Sequence, residues 1–174
     1  IYWLILKNNT KKKKNLAIYA AIIIGILVVS STIFFTYSNE NAKLRGQMFG
    51  NELKGIQDDL KELTHSFDSK LSMFKQGSFD KSSFLASTDT HEMKMSLIIS
   101  QYDYLQIPKG FDAAVDLFKL SAETQLESDI QIIEWVKTGN DAAHIRSDAL
   151  LQESFEYEMA ALAEYKLAKG PLNP

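Results

Sequence analysis

With 174 residues, only three prolines and no cysteine, the chain has room for one ordinary domain, leans toward helices, and excludes disulfides, thiolate nucleophiles and cysteine-ligated zinc or iron–sulfur centres. The net charge of −3 conceals a split: the first fifteen residues carry five lysines and no acid, while the other 14 basic residues face all 22 acidic ones. So acidic a body argues against a nucleic-acid partner, because phosphate binding needs a local excess of Lys and Arg.

In chain order, a Lys-rich segment (residues 1–15) leads into Leu16–Phe35, LAIYAAIIIGILVVSSTIFF, twenty residues without a charge, an Asn or a Gln. About twenty apolar residues at 1.5 Å rise each cross a hydrocarbon core of roughly 30 Å, so the segment predicts a single transmembrane helix in a lipid bilayer. Lys11–Lys14 sit just before it, whereas residues 36–50 hold only Lys43 and Arg45. The positive-inside rule then places the N-terminus in the cytoplasm and the C-terminal domain outside the plasma membrane. A cleaved signal peptide is the competing reading; the run is longer than the usual 7–15 residues and no A-x-A site follows it. Ala17, Ala21 and Gly25 form a small-residue row through which two spans can pack.

Residues 36–50 are expected to form a stalk, helical or partly flexible, because Asn39–Gly50 is polar and contains Gly46 and Gly50. From residue 51 to 170 apolar residues recur at helical spacing in four segments. The first stripe is Leu53, Ile56, Leu60, Leu63, Phe67, Leu71 and Phe74; the second is Phe84, Thr88, His91, Met95, Ile98, Tyr102 and Leu105. The third runs Phe111, Val115, Phe118, Ala122, Leu126, Ile130, Ile133 and Val136, and the fourth Ile145, Ala149, Gln152, Phe155, Met159 and Leu162. Gly77 is placed to close the first helix, Ile107-Pro108 the second and Gly139 the third, with Asn140 or Asp141 capping the fourth and Gly170-Pro171 ending it before the tail, 171–174. Connections this short force antiparallel neighbours. The predicted fold is therefore all-α: one membrane helix followed by an antiparallel up-down-up-down four-helix bundle.

Reflection through the turns sets His91 level with Thr64 or His65, with Gln125, and with Gln152 or Glu153. Such a polar layer either fixes register or binds a ligand. His91, Met95 and Met159 fall near one level and offer a soft donor set that would suit copper(I). Glu62-x-x-His65 and Asp141-x-x-His144 have the spacing of di-iron bundle ligands, yet they fall on different faces and levels and do not make that site. No nucleophile elbow, phosphate-cradling loop or H-E-x-x-H is present, and no cofactor is expected. Tyr102, Tyr104 and Trp135 are the aromatic candidates for a contact surface.

A membrane span followed by an external four-helix bundle resembles, in layout alone, the ligand-binding region of bacterial and archaeal chemoreceptors and related sensor kinases. Those receptors return to the membrane through a second span into a cytoplasmic signalling domain. No second apolar run follows Phe35 here, so signal output by this chain alone is not expected. The leading expectation is a non-enzymatic, single-pass, extracytoplasmic bundle acting as an accessory or scaffold subunit of the cell envelope, bound to another envelope protein or to itself. The alternative is a small-ligand or copper-binding, sensor-like bundle centred on His91.

Overall fold

The computed structural model describes residues 43–169. Among these it is a helical bundle of four helices with no strand: α1 (residues 43–75), α2 (Lys81–Ser100) with a short 3-10 turn at Gln101–Tyr104, α3 (Asp112–Thr138) and α4 (Asp141–Lys169). No helix among the described residues is long and apolar enough to cross a membrane. The expected span Leu16–Phe35, its packing row Ala17, Ala21 and Gly25, and the Gly170-Pro171 stop lie outside the described residues.

Local chemistry sets the ends. Gly77 adopts φ +73° and its N–H donates to the Phe74 carbonyl, closing α1 in the left-handed conformation that only glycine takes without strain. Asp80 caps α2: Oδ1 accepts from the Ser83 N–H at 2.9 Å and from Ser82 Oγ at 2.5 Å. These bonds hold the Asp80 carboxyl well below the usual carboxylate range, the Ser82 hydroxyl first among them. Gly139 (φ +74°) ends α3 through a bond to the Trp135 carbonyl, and Asn140 Oδ1 accepts from the Ala142 N–H to open α4.

Two boundaries differ from the sequence reading. The α-helical part of α2 stops at Ser100, seven residues before Ile107, and Leu105 is already extended. Pro108 restricts only the residue before it, so it marks the latest possible end of the helix. The 3-10 turn ends it sooner by swinging Tyr102 inward, where it is 2% exposed and accepts a hydrogen bond from Gln57 Nε2. Burial pushes the Tyr102 phenol well above its ordinary range, offset in part by that bond. The start of the bundle, expected at residue 51, is the second difference, because the core already takes in Phe49. Residues 43–50 are helical, and Phe49 is buried with its ring 5.3 Å from that of Phe111.

Cross-helix contacts give the directions. Gln57 meets Tyr102 while Phe74 meets Phe84, so α1 and α2 run opposite ways. Asp103 meets Lys119 and Lys81 reaches the Lys137 carbonyl, so α2 and α3 do too. Ser121 meets Ser154 and Ser128 meets Ser147 on α3 and α4. The core divides into two apolar clusters. One contains Phe49, Leu53, Ile56, Ile99, Tyr102, Val115 and Phe118; the other, near the Gly77 and Gly139 turns, contains Phe67, Phe84, Ile132, Ile133 and Val136.

The first three apolar stripes face inward. The fourth does not. Ile145, Ala149, Gln152, Phe155, Met159 and Leu162 are all exposed, and α4 buries Ala143, Ser147, Ser154 and Ala161 instead. Ser147 and Ser154 meet a matching pair on α3, Ser128 and Ser121, in a buried row that also holds Ala114. Ser121 Oγ donates to the Ser154 carbonyl at 2.9 Å, Ser154 Oγ returns a bond to the Ser121 carbonyl at 2.8 Å, and Ser128 Oγ donates to the Ser147 carbonyl at 2.9 Å. Only small side chains let two helix backbones come this close, and the hydroxyls find acceptors across the seam. The large residues of α4 are thereby turned outward.

Candidate functional site

A polar layer separates the two apolar clusters. His91 on α2 and Asp129 on α3 are 5% and 3% exposed, and Nε2 of His91 lies 2.7 Å from Oδ2 of Asp129. Gln125, one turn before Asp129, donates through Nε2 to Oδ1 at 2.8 Å. The Phe67 ring of α1 stacks on the imidazole with centroids 4.3 Å apart. Both carboxylate oxygens are thus partnered, and among the described residues no buried side-chain nitrogen or oxygen lacks a hydrogen bond. A satisfied buried layer of this kind rewards one registration of the helices over its neighbours.

Asp129 was not anticipated. It falls seven residues after Ala122 and four before Ile133, within the inward stripe, and that position was the signal available. The expected α1 neighbours, Thr64 or His65, give way to Phe67, one turn further on. The expected α4 neighbours, Gln152 and Glu153, are exposed because α4 presents its small face inward. Gln152 bonds Glu156, and Glu153 accepts from the Tyr157 hydroxyl. Replacing His91 alone would leave Oδ2 of the buried Asp129 without a partner and only the Gln125 bond on Oδ1, so the two residues act as one unit.

The proposed copper donors are divided. His91 and Met95 are buried on α2, Met95 at 0% exposure, whereas Met159 is 51% exposed on the outer face of α4. Nε2 of His91 is already committed to Asp129. Among the described residues no group of three or more His, Asp or Glu side chains is placed to hold a metal ion. Glu62, His65 and Asp141 are exposed, and His144 stands edge-on to Trp135 at 4.7 Å with Nδ1 3.4 Å from Asp148. The aromatic candidates also separate: Tyr102 is buried, Tyr104 is 83% exposed, and Trp135 is half-buried against Phe74 with Lys75 Nζ 5.5 Å from its ring centre.

Beside the layer, a cleft of about 440 Å³ opens along α1, α3 and α4. Its floor is Leu60, Met95, Phe118 and Ala122; its polar lining includes Lys61, His65, Asp68, Gln125 and Glu158. Partial burial raises the Asp68 carboxyl above its ordinary value, and the charge of Asp129 adds to this against the opposing pull of His65, His91 and Lys75. The cleft carries charges of both signs over an apolar base, without a nucleophile–base pair or a converging oxyanion site.

The largest unexplained feature lies outside the cleft. Leu151, Phe155, Met159 and Leu162 form a row on α4, each between 48% and 60% exposed. Isolated exposed apolar side chains are ordinary, whereas a contiguous row marks a contact surface. Comparison of the chain with protein-family models, with curated proteins and with solved structures returned no match in any of the three.

Proposed function

We propose that this chain is a membrane-anchored, extracytoplasmic up-down-up-down bundle that works by binding protein, as a non-enzymatic accessory or scaffold subunit of the cell envelope. The observation that carries the reading is the row Leu151, Phe155, Met159 and Leu162, left in water while the small residues of the same helix fill the core. Anchoring and orientation are argued from the apolar run Leu16–Phe35 and the lysines before it. The absence of cysteine makes a direct test available. In full-length Phe155→Cys protein, extracted from its native membrane in mild detergent, the thiol is expected to resist maleimide while the assembly is intact. It should react once the assembly is dissociated. A species of monomer mass with a freely reactive residue 155 would overturn the reading.

The cleft favours a second reading, a sensor-like bundle for a small zwitterion held between Lys61 or His65 and Asp68 or Glu158. Saturable stabilisation of the full-length protein by free amino acids, lost in Lys61→Ala, would support it. The division of His91, Met95 and Met159 between core and surface gives copper no comparable support.

A further inference from the structure

We infer that the protein bound by the outer face of α4 is a second copy of this chain, packed antiparallel about a two-fold axis near Phe155; the inference rests on the protein-binding reading above. At 100° per residue, Asp141, Asp148, Leu151, Phe155, Met159, Leu162, Lys166 and Lys169 all fall within about 40° of the Phe155 direction. All eight are exposed. His144 shares the row but is half-buried against Trp135, with Asp148 beside it.

The order of chemistry along this row is what selects the partner. It reads acid, apolar, base: Asp141 and Asp148 at one end, four large apolar residues in the middle, Lys166 and Lys169 at the other. A parallel copy would set acid on acid and base on base. An antiparallel copy sets each acidic end against a basic one. With the axis at Phe155, Leu151 opposes the partner's Met159, Asp141 opposes the partner's Lys169, and Asp148 lies one helical turn from the partner's Lys166. Phe155 then meets the partner's Phe155, a large aromatic at the centre of the patch, where contact energy concentrates. Such a two-fold interface is self-complementary by construction and closes at two chains. Charges at its rim choose orientation, while the apolar middle supplies the attraction.

The test uses full-length protein in mild detergent, where no shared bilayer fixes how two copies face each other and the cysteine-free background makes every introduced thiol informative. Under mild oxidation Phe155→Cys should yield covalent dimer. Leu151→Cys and Met159→Cys should each stay monomeric alone and cross-link when mixed, because a disulfide needs Cα atoms within about 7 Å. Asp148→Lys and Lys166→Asp should each lower the yield through residue 155 by about tenfold, and mixing the two should restore it. Cross-linking of Leu151→Cys to itself would overturn the antiparallel arrangement. If residue 155 resists maleimide in a complex with a different protein and never cross-links, self-pairing fails while the protein-binding reading stands. If it resists maleimide only because protein-free lipid covers it, or reacts freely throughout, both fail.

Discussion

The α1–α2 seam and the α3–α4 seam solve the same packing problem with opposite materials. Between α1 and α2 the filling is aromatic: Phe67 and Phe74 lie 5.7 Å and 5.6 Å from Phe84, and Phe67 stacks on His91. Between α3 and α4 it is Ala and Ser, with hydroxyls donating to the backbone of the facing helix. Large rings hold helices apart and draw their stability from apolar area. Small residues let helices close and draw it from backbone proximity and satisfied hydroxyls. A helix packed in the second way has no place inward for its own large residues. The exposed row on α4 follows from that choice.

The sharpest way to break this comparison is to truncate a phenylalanine on each side. Phe67→Ala should cost about 3–5 kcal/mol of unfolding free energy in urea titration, whereas Phe155→Ala should stay within about 0.5 kcal/mol when the bundle is kept from assembling. A large loss at Phe155 would mean that α4 is not packed through its small face. Next in size is the polar layer. Asp129→Leu should cost about 3 kcal/mol by leaving His91 and Gln125 without their acceptor, and adding His91→Leu should recover most of it. Ser154→Leu should then cost about 1–3 kcal/mol by forcing α3 and α4 apart. Ser154→Ala, which keeps the spacing and removes the hydroxyl, should cost about 1 kcal/mol.

The smallest expected effect concerns pH. The Asp68 carboxyl is raised in the folded state, so the folded protein holds that proton more tightly than the unfolded chain does. Its contribution favours folding below the ordinary aspartate range and is lost as pH rises through the raised value. Asp68→Asn should therefore be slightly more stable than the parent at neutral pH, with the gap closing as the pH is lowered past that range. Thermal melts of both proteins from acid to neutral pH would read this directly. A gap that widens in acid would contradict the placement of Asp68 near Asp129.

Most of the helical plan is legible in the sequence, because period and punctuation carry it. Leu53, Ile56 and Phe67 on α1, Phe84 and Met95 on α2, and Tyr102 in the turn after it are inward as their spacing predicts, and Gly77 and Gly139 end their helices. The reading fails where side-chain size, rather than polarity, decides the buried face. Ser147 and Ser154 look like surface residues and Phe155 like core, yet the reverse holds because their matching partners, Ser121 and Ser128, lie on another helix. A seven-residue recurrence of small residues on both segments was the available cue. Asp129 escaped by one helical turn: reflection through the turns sets His91 level with Gln125, four residues before the acid that the imidazole meets.

The two-residue joint at Gly139 and Asn140 has a consequence for the order in which this protein acquires its structure. Helices α3 and α4 are neighbours in sequence, and the chain between them is as short as a helical hairpin allows. Their serine ladder needs nothing from α1 or α2. Closing a short loop costs little entropy, and contacts of low sequence separation form early. The hairpin is therefore placed to be the folding nucleus, with fractional transition-state values highest at Ser128 and Ser147 beside the joint and lowest across Gln57 and Tyr102. The aromatic seam would then condense onto a hairpin already standing.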